Sequence, residues 1–238
     1  MHAAPPPAVE AQGLGRRFGR RWALADVTLT VPAGVRVMVT GRNGSGKSTL
    51  LRVLATAIHA DRGTARVAGH DLRRQRQQAR EKVALLSHHS GLYEALTAQE
   101  NLQVAARFLA LDARPEAIRA RLETVGLAGR AQDPVATFSA GMRKRLALAR
   151  TLMQPAAVVL LDEPYGELDV DGFALVDRLL ERARAEGRTV LMSTHLLERG
   201  REMCDLAVTL EDGRVVWSGP AADLALPAAG GERAHGAA

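Results

Sequence analysis

Apolar and polar side chains alternate along residues 25–31 (ADVTLTV), the pattern of a strand with one buried face, and Pro32-Ala33-Gly34 supplies a closing turn. Residues 35–39 (VRVMV) predict a second strand that runs straight into the glycine-rich stretch GRNGSGKST at 41–49. Beyond it, the apolar spacing in TLLRVLATAI (49–58) is helical, and 64–69 (TARVAG) reads as another short strand. The pattern changes near position 97. Thr97-Ala98-Gln99-Glu100 has the form of a capping box, and Leu102, Ala105, Ala106 and Leu109 then fall on one helical face. A second helix is predicted to open at Pro115, carry Ile118, Leu122 and Val125 on one side, and stop at Gly126. Residues 90–149 are therefore expected to be a helical insertion. Strands resume at 157–161 and 189–193, separated by a helix over 171–186, an order that implies a parallel sheet. LAVTL-EDGR-VVWSG predicts a hairpin turning at Asp212-Gly213.

Composition adds limits to this outline. The 238 residues suffice for one large domain or two small ones, and no apolar run approaches the roughly 20 residues of a membrane span. The start, MHAAPPPAVEAQ, lacks the basic-then-apolar order of a secretion signal, and the single Cys204 excludes an internal disulfide. A soluble, intracellular chain is expected. Net charge is +6 and the pI about 10.3, but 29 of the 32 basic residues are arginine, a bias of composition more than a binding stripe. Lysine occurs only at 47, 82 and 144, so Lys47 inside the glycine-rich stretch stands out. Residues 1–8 are expected to be disordered, 9–220 to form one domain, and 221–238 to form a flexible tail rich in Ala, Gly and Pro.

Residues 41–49 fit G-x-x-x-x-G-K-[ST] between a strand and a helix. In such a loop glycines let backbone N–H groups converge on phosphate oxygens, and the following helix adds its positive end. Gly41, Asn43, Gly44, Ser45, Gly46, Lys47, Ser48 and Thr49 are the candidate contacts, with Lys47 at the terminal phosphates and Ser48 offering its hydroxyl to magnesium. The apolar strand at 157–161 ends in Asp162-Glu163, and strand ends in a parallel sheet gather around bound ligands. Asp162 suits magnesium through its water shell; Glu163 suits a base for the attacking water. His195 closes the next strand at the same sheet edge and is a candidate contact for the γ-phosphate and that water.

Phe138-Ser139-Ala140-Gly141-Met142-Arg143-Lys144-Arg145 opens a helix with Met142, Leu146, Ala149 and Met153 on one face. Together with the phosphate loop, the helical insertion, LLDEP, Gly166-Glu167-Leu168-Asp169 and His195, this order resembles the ATP-binding cassette ATPases, from about Val9 to Gly219. The resemblance implies an α/β fold: a P-loop NTPase (RecA-like) core with a mainly parallel sheet, an N-terminal antiparallel β subdomain and an inserted helical subdomain, the core being about 9–89 and 150–220. It also implies that Ser139 and Gly141 belong to the signature motif that meets ATP held by a second subunit, that Asp169 lies on the loop crossing between subunits, and that Phe18 stacks on adenine, with Trp22 a weaker rival. Ala140 stands where that family usually has glycine, which is tolerable at negative φ.

His88 falls where the family usually has a glutamine that reaches magnesium or the attacking water and links to the membrane partner. Imidazole is a poor direct ligand for magnesium, but a neutral His88 can hydrogen-bond a metal-bound water. No Cys or carboxylate beside His88 and His89 completes a tetrahedral zinc set, and His89 reads as solvated. A histidine here, with LTAQENL after it, resembles the ATP-binding subunits of the cytochrome c biogenesis haem exporters; a generic exporter cassette with an altered loop is the alternative. The resemblance implies ATP and Mg2+, a homodimer closed by an ATP sandwich, an integral membrane permease docked near Leu92 and Tyr93, and residence at the cytoplasmic face of the membrane, with no nucleic acid partner. A soluble cassette acting on nucleic acid or ribosomes and a regulatory nucleotide binder are the competing classes. Neither the doubled cassette nor the coiled coil of the first is visible, and intact Glu163 and His195 oppose the second.

Overall fold

A computed structural model of the protein describes residues 6–88 and 90–226. Among them ten strands form one sheet: β1 (Val9–Phe18), β2 (Arg21–Val31), β3 (Arg36–Thr40), β4 (Arg62–Val67), β5 (His70–Asp71), β6 (Val83–Leu86), β7 (Val158–Asp162), β8 (Thr189–Ser193), β9 (Leu206–Glu211) and β10 (Arg214–Pro220). The helices are α1 (Lys47–Leu54), α2 (Arg76–Glu81), α3 (Ala98–Phe108), α4 (Pro115–Thr124), α5 (Ala140–Leu152), α6 (Val170–Ala185) and α7 (Leu197–Met203). Strand order is β5-β4-β1-β2-β10-β9-β3-β8-β7-β6. The run from β9 to β6 is parallel, whereas β1 pairs antiparallel with β2 and β4. The expected parallel core with an antiparallel N-terminal part and a helical insertion is what the chain forms.

The sequence pattern explains the layering. Every residue of β3, β7 and β8 is buried, as strands covered on both faces must be, whereas in β2 Val27, Leu29 and Val31 are buried and alternate with exposed Asp26, Thr28 and Thr30. One apolar cluster fills the space between β1, β2, β4 and α1; a second lies beneath α6 and α7; a third holds α3, α4 and one face of α5 together. Helix α5 sits in both of the last two, giving Ala147 and Leu148 to one and Leu146 and Ala149 to the other. Burial within the second cluster pushes the Cys204 thiol up to about 12. No helix among the described residues is long and apolar enough to cross a membrane.

The termini are corrected by the structure. Ala8 is buried and donates its N–H to Val31 O at 2.8 Å, so order begins before residue 9. At the other end Ala221 is buried and leads a 3₁₀ turn, Ala221–Asp223, while Arg201 donates to Ala222 O at 2.7 Å. Buried Ala221 and Leu224 pack against the second apolar cluster, so contact with the domain body extends past 220. The expected disorder of 1–5, the expected flexible tail over 227–238 and the solvated His89 lie outside the described residues. Helix α1 ends at Leu54, short of 58, where Thr56 turns to a φ of +58°.

Candidate functional site

The sheet order places the site. Strand β8 lies between β3 and β7 and is parallel to both, so their carboxyl ends gather at one edge. From β3 the chain curls through residues 41–46 with φ of +138° at Gly41 and +109° at Gly46. A Cβ on Gly46 would sit 2.4 Å from Ala23 O, so this position requires glycine. Lys47 opens α1 and is buried; its Nζ donates to Gly41 O at 2.7 Å and Arg42 O at 3.1 Å. Burial holds its pKa below the ordinary lysine value, against the pull of Glu163 and Asp162.

Asp162, at the end of β7, is buried, and its Oδ1 accepts from Ser48 Oγ at 2.9 Å and from Ser193 Oγ at 2.7 Å. Ser193 Oγ in turn accepts the Glu163 N–H at 2.9 Å. Glu163 adopts φ +49°, rare for a residue with a side chain, and this contact helps hold it there. Its Oε1 is buried with no hydrogen-bond partner among the described residues, and lies 3.1 Å from His195 Nε2. A partly exposed Glu163 carboxylate held 3.1 Å from a half-exposed imidazole is suited to accept a proton from water. The all-oxygen pair Ser48 and Asp162 fits a hard cation such as magnesium.

Ser139, Gly141 and Asp169 form a different surface. Ser139 caps α5, accepting the Met142 N–H at 3.2 Å, which leaves its hydroxyl proton able to donate outward. Ala140 lies within α5 and is not among the residues with positive φ, so the missing glycine costs no strain. A Cβ on Gly141 would come 3.0 Å from Glu167 O, a close approach that joins the start of α5 to the loop before α6. Asp169 caps α6 through Gly172 N–H at 2.8 Å and pairs with Arg145 at 3.1 Å. These contacts hold its carboxyl below the usual range, the Gly172 N–H contributing most. Ser139 and Asp169 are exposed, and none of their hydrogen bonds among the described residues reaches the 41–49 loop.

Phe18 ends β1 half-exposed with Arg16 over its ring at 4.8 Å; the Trp22 ring is covered by Arg62 at 4.2 Å, which leaves Phe18 the more accessible aromatic. His88 is exposed, two residues past the end of β6, which pairs in parallel with β7. Arg150 of α5 donates to Ser90 O at 3.3 Å, and buried Asn101 holds the backbone of exposed Tyr93.

Two residues escape the motif reading. Ser193 ties the Asp162 carboxylate to the Glu163 backbone N–H, and Lys144 lies partly buried in the field of Glu167, Asp162 and Glu163, its pKa lowered chiefly by desolvation. The scarcity of lysine that singles out Lys47 applies equally to Lys144; Ser193 carries no such signal.

A glycine-rich loop, a lysine at a helix start and acidic residues at the end of a strand on the same sheet edge define a nucleoside-triphosphate-binding protein. The sequence profile of the ABC transporter family matches residues 24–166. The daunorubicin resistance ATP-binding protein DrrA3 of Streptomyces coeruleorubidus is 37% identical over 91% of this chain and 69% of its own length. The Nod factor export ATP-binding protein I of Burkholderia lata is 31% identical over 90% of this chain and 71% of its own. A solved ATP-binding subunit of an ABC transporter superposes with a TM-score of 0.81 at 29% identity, covering 90% of each chain. The chain belongs to the ABC transporter family: it is an ATP-binding subunit and an ABC ATPase.

Proposed function

We propose that two copies of this chain bind two ATP molecules face to face and hydrolyse them to drive a separate membrane permease of exporter type. The supporting observation is the division of the anion-binding features. Lys47, Ser48, Asp162 and Glu163 share one sheet edge, while the capped start of α5 at Ser139 stands exposed with its hydroxyl proton free to meet another molecule's nucleotide. The 41–49 backbone, with Asn43, Gly44, Ser45 and Thr49, cradles the phosphates of ATP, and Phe18 offers its ring to adenine. Magnesium, held by Ser48 and Asp162, would neutralise phosphate charge. Glu163 takes the proton of the attacking water, and His195 orients that water. Asp169 faces the partner copy. The permease is the membrane anchor, docking at the cytoplasmic face near Leu92, exposed Tyr93 and His88. The names of the two relatives, drug resistance and Nod factor export, favour an exporter over a nucleic-acid-handling cassette.

A narrower cargo, haem for cytochrome c maturation, is favoured only by His88 and the LTAQENL stretch. Stimulation of turnover by haem in a reconstituted permease complex would support it; indifference to haem would remove it. The main reading is tested by Glu163→Gln. Turnover should fall roughly 10²- to 10⁴-fold, the range for loss of a positioned base, while ATP still binds and drives the chain into dimers on gel filtration. Near-normal turnover would take Glu163 out of this role.

A further inference from the structure

We infer that Tyr165, Asp177 and Arg199 are positioning residues that lock Glu163 and His195 into one geometry. The inference rests on the roles proposed for those two. Strand pairing fixes β7 against β8 as far as Asp162 and Ser193, but both catalytic candidates lie beyond the paired residues. Tyr165 follows Glu163 by two positions and Arg199 follows His195 by four. Asp177 of α6 holds both segments with one carboxylate: Tyr165 Oη donates to Oδ1 at 2.8 Å, and Arg199 Nη1 donates to Oδ2 at 2.6 Å.

The surroundings leave this link little play. Tyr165 is 2% exposed, and burial with the Asp177 carboxylate beside it raises its pKa, so the phenol stays a proton donor. Its ring meets Phe173 edge to face at 5.6 Å, and the Arg199 guanidinium lies 5.1 Å from Phe173 and 5.7 Å from Tyr165. Helix α7 is seated just as closely. A Cβ on Gly200 would fall 2.1 Å from Met38 Sδ and 3.2 Å from Thr194 Cγ2, so the segment carrying Arg199 presses directly on β3 and on the residue before His195. Glu163 keeps its left-handed φ only while its surroundings impose it. Ser193 grips the residue from its N-terminal side, and Tyr165 anchors the turn on the other. Motion of α7 is thereby transmitted through Asp177 to the loop that aims the Glu163 carboxylate.

The test uses the full chain with Tyr165→Phe, Asp177→Asn and, as a packing control in the helical cluster away from the link, Ile118→Val. Tyr165→Phe and Asp177→Asn should each lower kcat roughly 5- to 50-fold, as small misplacements of a reacting group do, with KM for ATP and affinity for a fluorescent ATP analogue changed less than about twofold. The double variant should be no slower than the slower single, because both remove one link. Arg199→Lys should keep more turnover than Arg199→Gln. Ile118→Val should lower the melting temperature and leave kcat within about twofold. Normal kcat in Tyr165→Phe, or loss of kcat that merely tracks melting temperature across the set, overturns the inference. Glu163→Gln run alongside separates the two claims: its inactivation together with a fully active Tyr165→Phe overturns the link and leaves the site standing.

Discussion

Ser193 has no exposed surface, yet its single oxygen serves both acidic residues at the end of β7. Ser193→Ala leaves the Glu163 N–H without its acceptor and takes one donor from Asp162. The loss should be about 1–3 kcal/mol, read by chemical denaturation, with a fall in kcat larger than any change in ATP affinity. Unchanged stability and turnover would show that another group takes its place. This residue marks the limit of what the chain declares about its chemistry. GRNGSGKS and LLDE are legible because neighbouring residues perform neighbouring tasks. Ser193 and Tyr165 act on groups 31 and 12 positions away, so their meaning appears only when β8 and α6 are laid beside β7.

At the scale of elements, local signals are reliable where the chemistry is local. Thr97 accepts the Glu100 N–H at 3.1 Å while the Glu100 carboxylate accepts the Thr97 N–H at 2.8 Å, the capping box read from four letters. Thr97→Ala should lower stability by about 1 kcal/mol in a denaturant titration, with m unchanged; an unaltered midpoint would mean that α3 is held by packing alone. The Asp212-Gly213 turn has φ of +45° and +73°, both left-handed, as its two residues predict. Strand β1 was not foreseen. Its pairing with β2 shifts register three times, around Gly13, Gly15 and Arg16, and each shift interrupts the alternation that would mark a strand. Four-residue β6 and six-residue α2 are too short for periodicity to register.

For the molecule as a whole, the decisive property is that Ser139 is exposed and no hydrogen bond among the described residues joins it to the loop around Lys47. If ATP closes two copies on each other, Lys47→Ala and Ser139→Arg should each be inactive alone, yet equal mixing should restore up to about a quarter of wild-type turnover, since half the dimers then contain one complete site. Failure of the mixture to recover activity would mean that the two features never meet. One element connects this interface to the rest of the protein. Helix α5 carries Ser139 at its start, spans two apolar interiors along its sides, and near its end holds the 90–91 loop through Arg150. Thirteen residues make a rod of roughly 20 Å, so a tilt of about 10° shifts its tip by about 3 Å, the length of one hydrogen bond. A tilt imposed at one tip would thus be delivered, without any unfolding, as a stroke at the other.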